Sequence, residues 1–267
     1  MNGWLNKESN DNKSFREKFY RKKSKEIRRK CLELVKKAGQ GHLGGTYSVV
    51  DLLVVLYYGK YLNLYRKTES YGDCVIIGKG HANLAFLTIW NELTYITDEA
   101  LLAYGLNGGF GGQLDTTKYK IIDNITGSLG HAIGIASGIC IANRLDKSHH
   151  KAIAIVGDGE MEEGSNWEAL TIANRLKIDI SASGGIYDGE AIIKQILAGA
   201  TAVQLASSLY MNGIEQIAEI LKYLENWMDK KGFNYINQIK GELSQEKHTR
   251  PEIYERLQYM KYFSELK

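Results

Sequence analysis

The sequence predicts an α/β protein, a parallel sheet with helices flanking it. Three observations carry this. Two short apolar runs, Cys74 to Ile77 and Ala152 to Val156, are too brief for helices and read as strands buried on both faces. Each passes directly into a glycine turn, Gly78-Lys79-Gly80 and Gly157-Asp158-Gly159, and then into a helical pattern. With 28 glycines against one proline, Pro251, the breaks between elements rest on glycine, which suits α/β folds whose loops approach ligands.

Composition sets the outer limits. A chain of 267 residues forms one or two domains with a real core. A hydrophobic content of 44% and a charged content of 24% are ordinary for a globular protein. The net charge of +3 is too small to call for nucleic acid, and much of it comes from one N-terminal cluster. The three cysteines, Cys31, Cys74 and Cys140, are odd in number and lack metal-ligand spacing, so reduced thiols are expected. No apolar run approaches the ~20 residues of a membrane span. The polar N-terminus has no signal-peptide core. The expectation is a cytoplasmic protein that binds neither nucleic acid nor membrane.

Residues 1–13 are polar and are predicted to be a disordered tail. From about Ser14 to Ala38, Ile27, Cys31, Leu34 and Val35 recur at helical spacing, and the Lys/Arg clusters form a solvated face. Gly39 ends that helix. The loop Gly41-His42-Leu43-Gly44-Gly45 follows, and an apolar helix is predicted from Ser48. After the first strand, a helix beginning near His81 puts a histidine at the strand's C-terminal end, where open parallel sheets bind ligands. Residues 106–115 read as a flexible glycine-rich loop, and 126–145 as a helix of small residues that packs closely on a neighbour.

After the second strand, Asp158 sets one carboxylate beside bare backbone N–H groups, with a helix starting near Glu163. That combination suits a hard divalent cation escorting a phosphate. The same three residues also make an ordinary turn with a solvated aspartate. Further strands are predicted at Ile180 to Ser183 and Ala202 to Ala206, around a helix over 189–198. All four strands could align as one continuous parallel sheet. Gly184, Gly185, Ala206 and Ser207 follow two of these strands, where amides and a hydroxyl grip phosphate or simply turn the chain.

Four pieces in order, GHLGG at 41–45, GKGHA at 78–82, TGSLGH at 126–131 and GDGEMEEG at 157–164, resemble transketolases, especially their separately encoded N-terminal subunits, over about residues 15–179. The resemblance implies a truncated thiamine-diphosphate-binding fold. It implies catalytic roles for His42 and His81, which face the reacting end of cofactor and substrate in that family. It also implies cofactor contacts from His42, His81, Gly127, Ser128, Leu129, His131, Gly157, Asp158, Gly159 and Glu160. A Mg2+ or Ca2+ ion would be held by Asp158. The family's second metal ligand, an asparagine, has no counterpart, and Asp188, 30 residues after Asp158, stands where it would fall. Where many relatives carry a histidine-proline pair that contacts the sugar donor, this chain reads Gly111-Gly112-Gln113.

Beyond Asp179 the run ISASGGIYDGEAIIKQILAGATAVQLASSLYMNG resembles the last two βα units of a class 1-like dihydroorotate dehydrogenase, a TIM-barrel-type continuation. That resemblance implies an FMN phosphate site at Gly184, Gly185, Ala206 and Ser207. The expected organisation is a tail over 1–13, a transketolase-like region over 14–179 and a dehydrogenase-like segment over 180–267. The expected function is thiamine-diphosphate-dependent ketol transfer, inactive in this chain alone. A partner C-terminal subunit would supply the pyrimidine-binding domain in a homo- or hetero-oligomer. The alternatives are an FMN-dependent oxidoreductase fragment and a catalytically silent chimera.

Overall fold

The computed structural model describes residues 10–63, 72–114, 119, 121–175, 179–183, 185–205, 207–244 and 247. The chain falls into two compact units, residues 1–176 and 177–267.

The first unit runs α1 (Asn10–Ala38), α2 (Leu43–Tyr58), β1 (Cys74–Ile77), a 3-10 turn (Gly80–Ala82), α3 (Asn83–Glu92), α4 (Asp98–Leu102), α5 (Ala132–Leu145), β2 (Ala152–Ile155), a second 3-10 turn (Gly159–Glu162) and α6 (Gly164–Arg175). The two strands pair in parallel, with Cys74 opposite Ala152 and Ile77 opposite Ile155. Side chains alternate across a strand, so each strand serves two layers. Val75, Ile77 and Ile155 join the main core with α1, α2 and α3, whereas Ile76 packs with Ala132 and Ala136 of α5. Helix α3 is buried from Asn83 to Trp90, and the Trp90 indole N–H donates to the Tyr57 hydroxyl at 2.9 Å. The strand at 152–155 is less enclosed than predicted, because among the described residues it pairs on one side only and just Ile155 is buried.

Three boundaries differ from expectation. Helix α1 begins at Asn10, inside the predicted tail, whose residues 1–9 lie outside the described residues. Helix α2 begins at Leu43 rather than Ser48, taking Gly44 and Gly45 into its first turns. Helix α5 begins only at Ala132, because Gly127 and Gly130 adopt φ of +140° and +88° and hold residues 126–131 as a loop. The predicted flexible stretch is pinned where described: Phe110 and Leu114 are buried, and the Asn83 side-chain amide donates to the Gly111 carbonyl at 2.8 Å.

The second unit runs β3 (Ser181–Ser183), α7 (Gly189–Ala198), β4 (Ala202–Gln204), α8 (Ser207–Asn212), α9 (Gln216–Lys231) and α10 (Ile236–Ile239). The strands β3 and β4 are parallel, with Ser181 opposite Ala202. Its core gathers Ile192, Ile193 and Ile196 of α7 against Ile220, Leu224 and Met228 of α9, a stripe spaced by four residues. The expectation of one continuous sheet is corrected: among the described residues there are two separate two-stranded sheets. The later strands are only three residues long and pair with each other. One parallel pair with a crossover helix occurs throughout α/β proteins, so it does not establish a TIM-barrel-type continuation.

Candidate functional site

Because β1 and β2 are parallel neighbours, both glycine turns emerge at one end of the sheet. The Gly78 N–H donates to the Ile155 carbonyl at 2.8 Å, tying the two exits together. His81 sits in the 3-10 turn after β1, and its ring lies 5.7 Å from that of His42 in an edge-on arrangement at 74°. Gly45 makes this pairing feasible, since a Cβ there would overlap the His81 ring. Burial holds the His81 pKa below its ordinary value, and the neighbouring Lys79 and His42 add to the effect. Both effects favour the neutral imidazole, the form able to accept a proton or hydrogen-bond a hydroxyl.

Lys79, in the first turn, packs beside Gly157 of the second. Its ammonium donates to the Ser48 hydroxyl at 2.8 Å. Burial lowers its pKa, opposed by the Asp158 and Glu160 carboxylates. Gly80 is packed against Gln113 and Thr126 with no room for a side chain. The Thr126 hydroxyl donates to the Gln113 side-chain carbonyl at 3.1 Å and accepts from the Leu114 N–H at 2.8 Å. This sets Gln113, in the segment that departs from the histidine-proline pattern, against the turn carrying His81.

On the β2 side, Asp158 is exposed and follows the strand end by three residues. A Cβ at Gly159 or at Gly127 would meet open space, so both turns leave room for a ligand. Ser128, Leu129 and His131 are exposed on the 126–131 loop, with the His131 Nδ1 3.0 Å from the Leu129 carbonyl oxygen. Glu160 differs from the other predicted cofactor residues in being buried and bonded within the protein. Among the described contacts, His42 and His81 pair with each other, and His131 stays with its own loop.

Among the described residues, no group of three or more His, Cys, Asp and Glu side chains is arranged to hold a metal ion. One accessible carboxylate still fits magnesium, which keeps several waters and takes its other oxygens from a bound phosphate. Asp188 lies in the second unit and caps α7, its Oδ1 accepting from the Ala191 N–H at 2.8 Å. Of the predicted FMN phosphate residues, Gly184 and Ala206 lie outside the described residues, Gly185 turns the chain after β3 at φ +66°, and Ser207 opens α8. Lys79 and Gly45 stand inside the sequence motifs, but nothing in the sequence alone gave them a role. Their signal was position, each within three residues of a motif histidine.

A family model described as 1-deoxy-D-xylulose-5-phosphate synthase matches residues 6–265. An apulose-4-phosphate transketolase subunit from Actinobacillus succinogenes is 35% identical over 162 residues, covering 59% of this chain and 58% of that protein. Its counterpart in Phocaeicola vulgatus is 30% identical over 158 residues, 58% and 56% of the two chains. Human transketolase is 28% identical over 158 residues, which is 57% of this chain but 25% of that enzyme. The solved transketolase of Leishmania mexicana shares the fold at a TM-score of 0.56 and 21% identity, over 64% of this chain and 28% of that one. The chain thus spans little more than half the length of the separately encoded relatives and about a quarter of the full transketolases. The family match takes in the segment beyond residue 179, and a dihydroorotate dehydrogenase-like segment, an FMN site and a fusion find no support in these likenesses.

Proposed function

As this chain belongs to the 1-deoxy-D-xylulose-5-phosphate synthase family of transketolase-like N-terminal domains, we propose that it is the diphosphate-binding half of a two-subunit transketolase. The carrying observation is the shared strand end, with Asp158 on one turn and the His42–His81 pair beside the other. In this reading Asp158 binds a magnesium or calcium ion escorting the diphosphate of thiamine diphosphate. Gly127, Ser128, Leu129, His131, Gly157 and Gly159 line its path. Thiamine diphosphate supplies the electron sink for cleaving a carbon–carbon bond next to a carbonyl. His81, held neutral, accepts or returns a substrate proton, and His42 orients the hydroxyl beside it.

The complete activity is proposed to be transfer of a two-carbon ketol unit between sugar phosphates. The pyrimidine-binding domain comes from a partner subunit, in keeping with relatives named as subunits. Exposed apolar side chains on two packed helices support this: Ile135, Ile141 and Leu145 on α5, and Trp167 and Ile172 on α6. Gln113 in place of the histidine-proline pair points to a donor different from the usual one. Asp188, engaged as a helix cap, is left out of the metal site.

Calorimetric titration of the purified chain with thiamine diphosphate and Mg2+ tests this, with FMN as the control ligand. Saturable binding that is lost in Asp158→Ala is expected. Absent binding, or binding untouched by that substitution, overturns the assignment. No ketol transfer is expected without a partner, and turnover by the purified chain alone would refute the two-subunit reading.

A further inference from the structure

Glu160 is a carboxylate where a polyanion site has no obvious use for one. It is 2% exposed. Its Oε1 accepts from the Gly130 N–H at 3.0 Å and its Oε2 from the Gly157 N–H at 3.3 Å. Its backbone carbonyl accepts from the Asn166 side chain at 2.6 Å. The carboxylate is seated under Gly78, where any Cβ would overlap both oxygens. Gly130 is gripped again from α6, the Ser165 hydroxyl donating to its carbonyl at 2.9 Å.

A buried carboxylate is costly unless bonded, and two backbone donors satisfy this one with charge-assisted bonds. Those donors belong to the two loops that flank the proposed diphosphate site. Bonding to Glu160 withdraws the Gly130 and Gly157 amides from any ligand. It leaves the open turns at Gly127 and Gly159, and the Asp158 carboxylate, as the face that meets one. We infer that Glu160 is a positioning residue, an internal clasp that fixes the 126–131 loop relative to the Gly157–Gly159 turn and so shapes the cradle for the metal-bound diphosphate. The inference rests on the proposed function, and it assigns Glu160 no contact with the cofactor.

Glu160→Gln is nearly isosteric, but its amide turns an N–H toward one of two backbone N–H groups and must release one loop. In the cofactor-free chain, hydrogen exchange read by mass spectrometry is expected to quicken in peptides covering 126–131 and 157–163. Unchanged exchange there overturns the clasp. Affinity for thiamine diphosphate with Mg2+ is expected to fall about ten- to a hundredfold, the range for outer-sphere partners of bound metals. The double variant Gly78→Ala/Glu160→Ala fills the vacated space without restoring either bond. It is expected to recover thermal stability relative to Glu160→Ala while keeping the weakened affinity. Recovery of both reduces Glu160 to a packing residue and overturns the inference. If the unaltered chain fails to bind thiamine diphosphate, the cofactor reading and the cradle fall together. The exchange measurement still decides whether Glu160 ties the loops.

Discussion

His81 rests against the bare Cα of Gly45, with His42 at 5.7 Å and Lys79 two residues upstream. Burial, reinforced by two basic neighbours, disfavours its protonated form. The unfolded chain therefore binds more protons at this side chain than the folded one as pH descends through the histidine range. Stability from this source is complete above the ordinary histidine pKa and is lost as pH falls through it toward the depressed folded value. Thermal melts of the unaltered chain and His81→Gln between about pH 7.5 and pH 5 check this. The variant is expected to lose melting temperature less steeply on acidification, and parallel profiles would show that His81 is not the source of the dependence. Both histidines were legible in the sequence, because their glycine-bracketed motifs follow predicted turns. Glu160 was expected to contact the cofactor, and its burial was not legible. Its burial depends on Gly130, thirty residues away in sequence, approaching from another loop.

Helix α2 shows how a tertiary contact decides a local question. Gly44 and Gly45 read as helix breakers, yet both lie in its first turns. They do so for different reasons. A Cβ at Gly44 would meet nothing, whereas one at Gly45 would overlap the His81 ring. Gly44→Ala is accordingly expected to stabilise the chain by about 0.5–1 kcal/mol, chiefly through the unfolded state. Gly45→Ala is expected to displace His81, lowering stability and thiamine diphosphate affinity together. Denaturant titration separates them, and equal effects from the two substitutions would contradict the contact. The strands β1 and β2 were readable because an apolar run of four or five residues between glycine turns has few other solutions. The late start of α5 was not, since positive φ at Gly127 and Gly130 comes from the loop's packing rather than its composition.

At the scale of the whole chain, hydrophobic pattern identified parallel α/β units but not how many sheets they make. A strand's partner is settled by nonlocal packing, and the three-residue strands β3 and β4 carry little apolar pattern to specify it. The first unit packs side chains against both faces of its sheet yet leaves apolar side chains uncovered on α5 and α6, with Leu145 77% and Trp167 60% exposed. Ile135, Ile141, Leu145, Trp167 and Ile172 give these two packed helices several exposed apolar side chains, which mark a subunit contact where they cluster. In the proposed assembly a partner subunit covers them, and in the purified chain a second copy is the cover expected. Sedimentation of the unaltered chain is therefore expected to show self-association. Ile141→Lys/Trp167→Ser is expected to leave the melting temperature almost unchanged, as surface substitutions do, while shifting the protein to monomer and weakening capture of a transketolase-type partner. A strictly monomeric unaltered chain, or a variant that associates as well as its parent, would mean that this face is not the subunit contact.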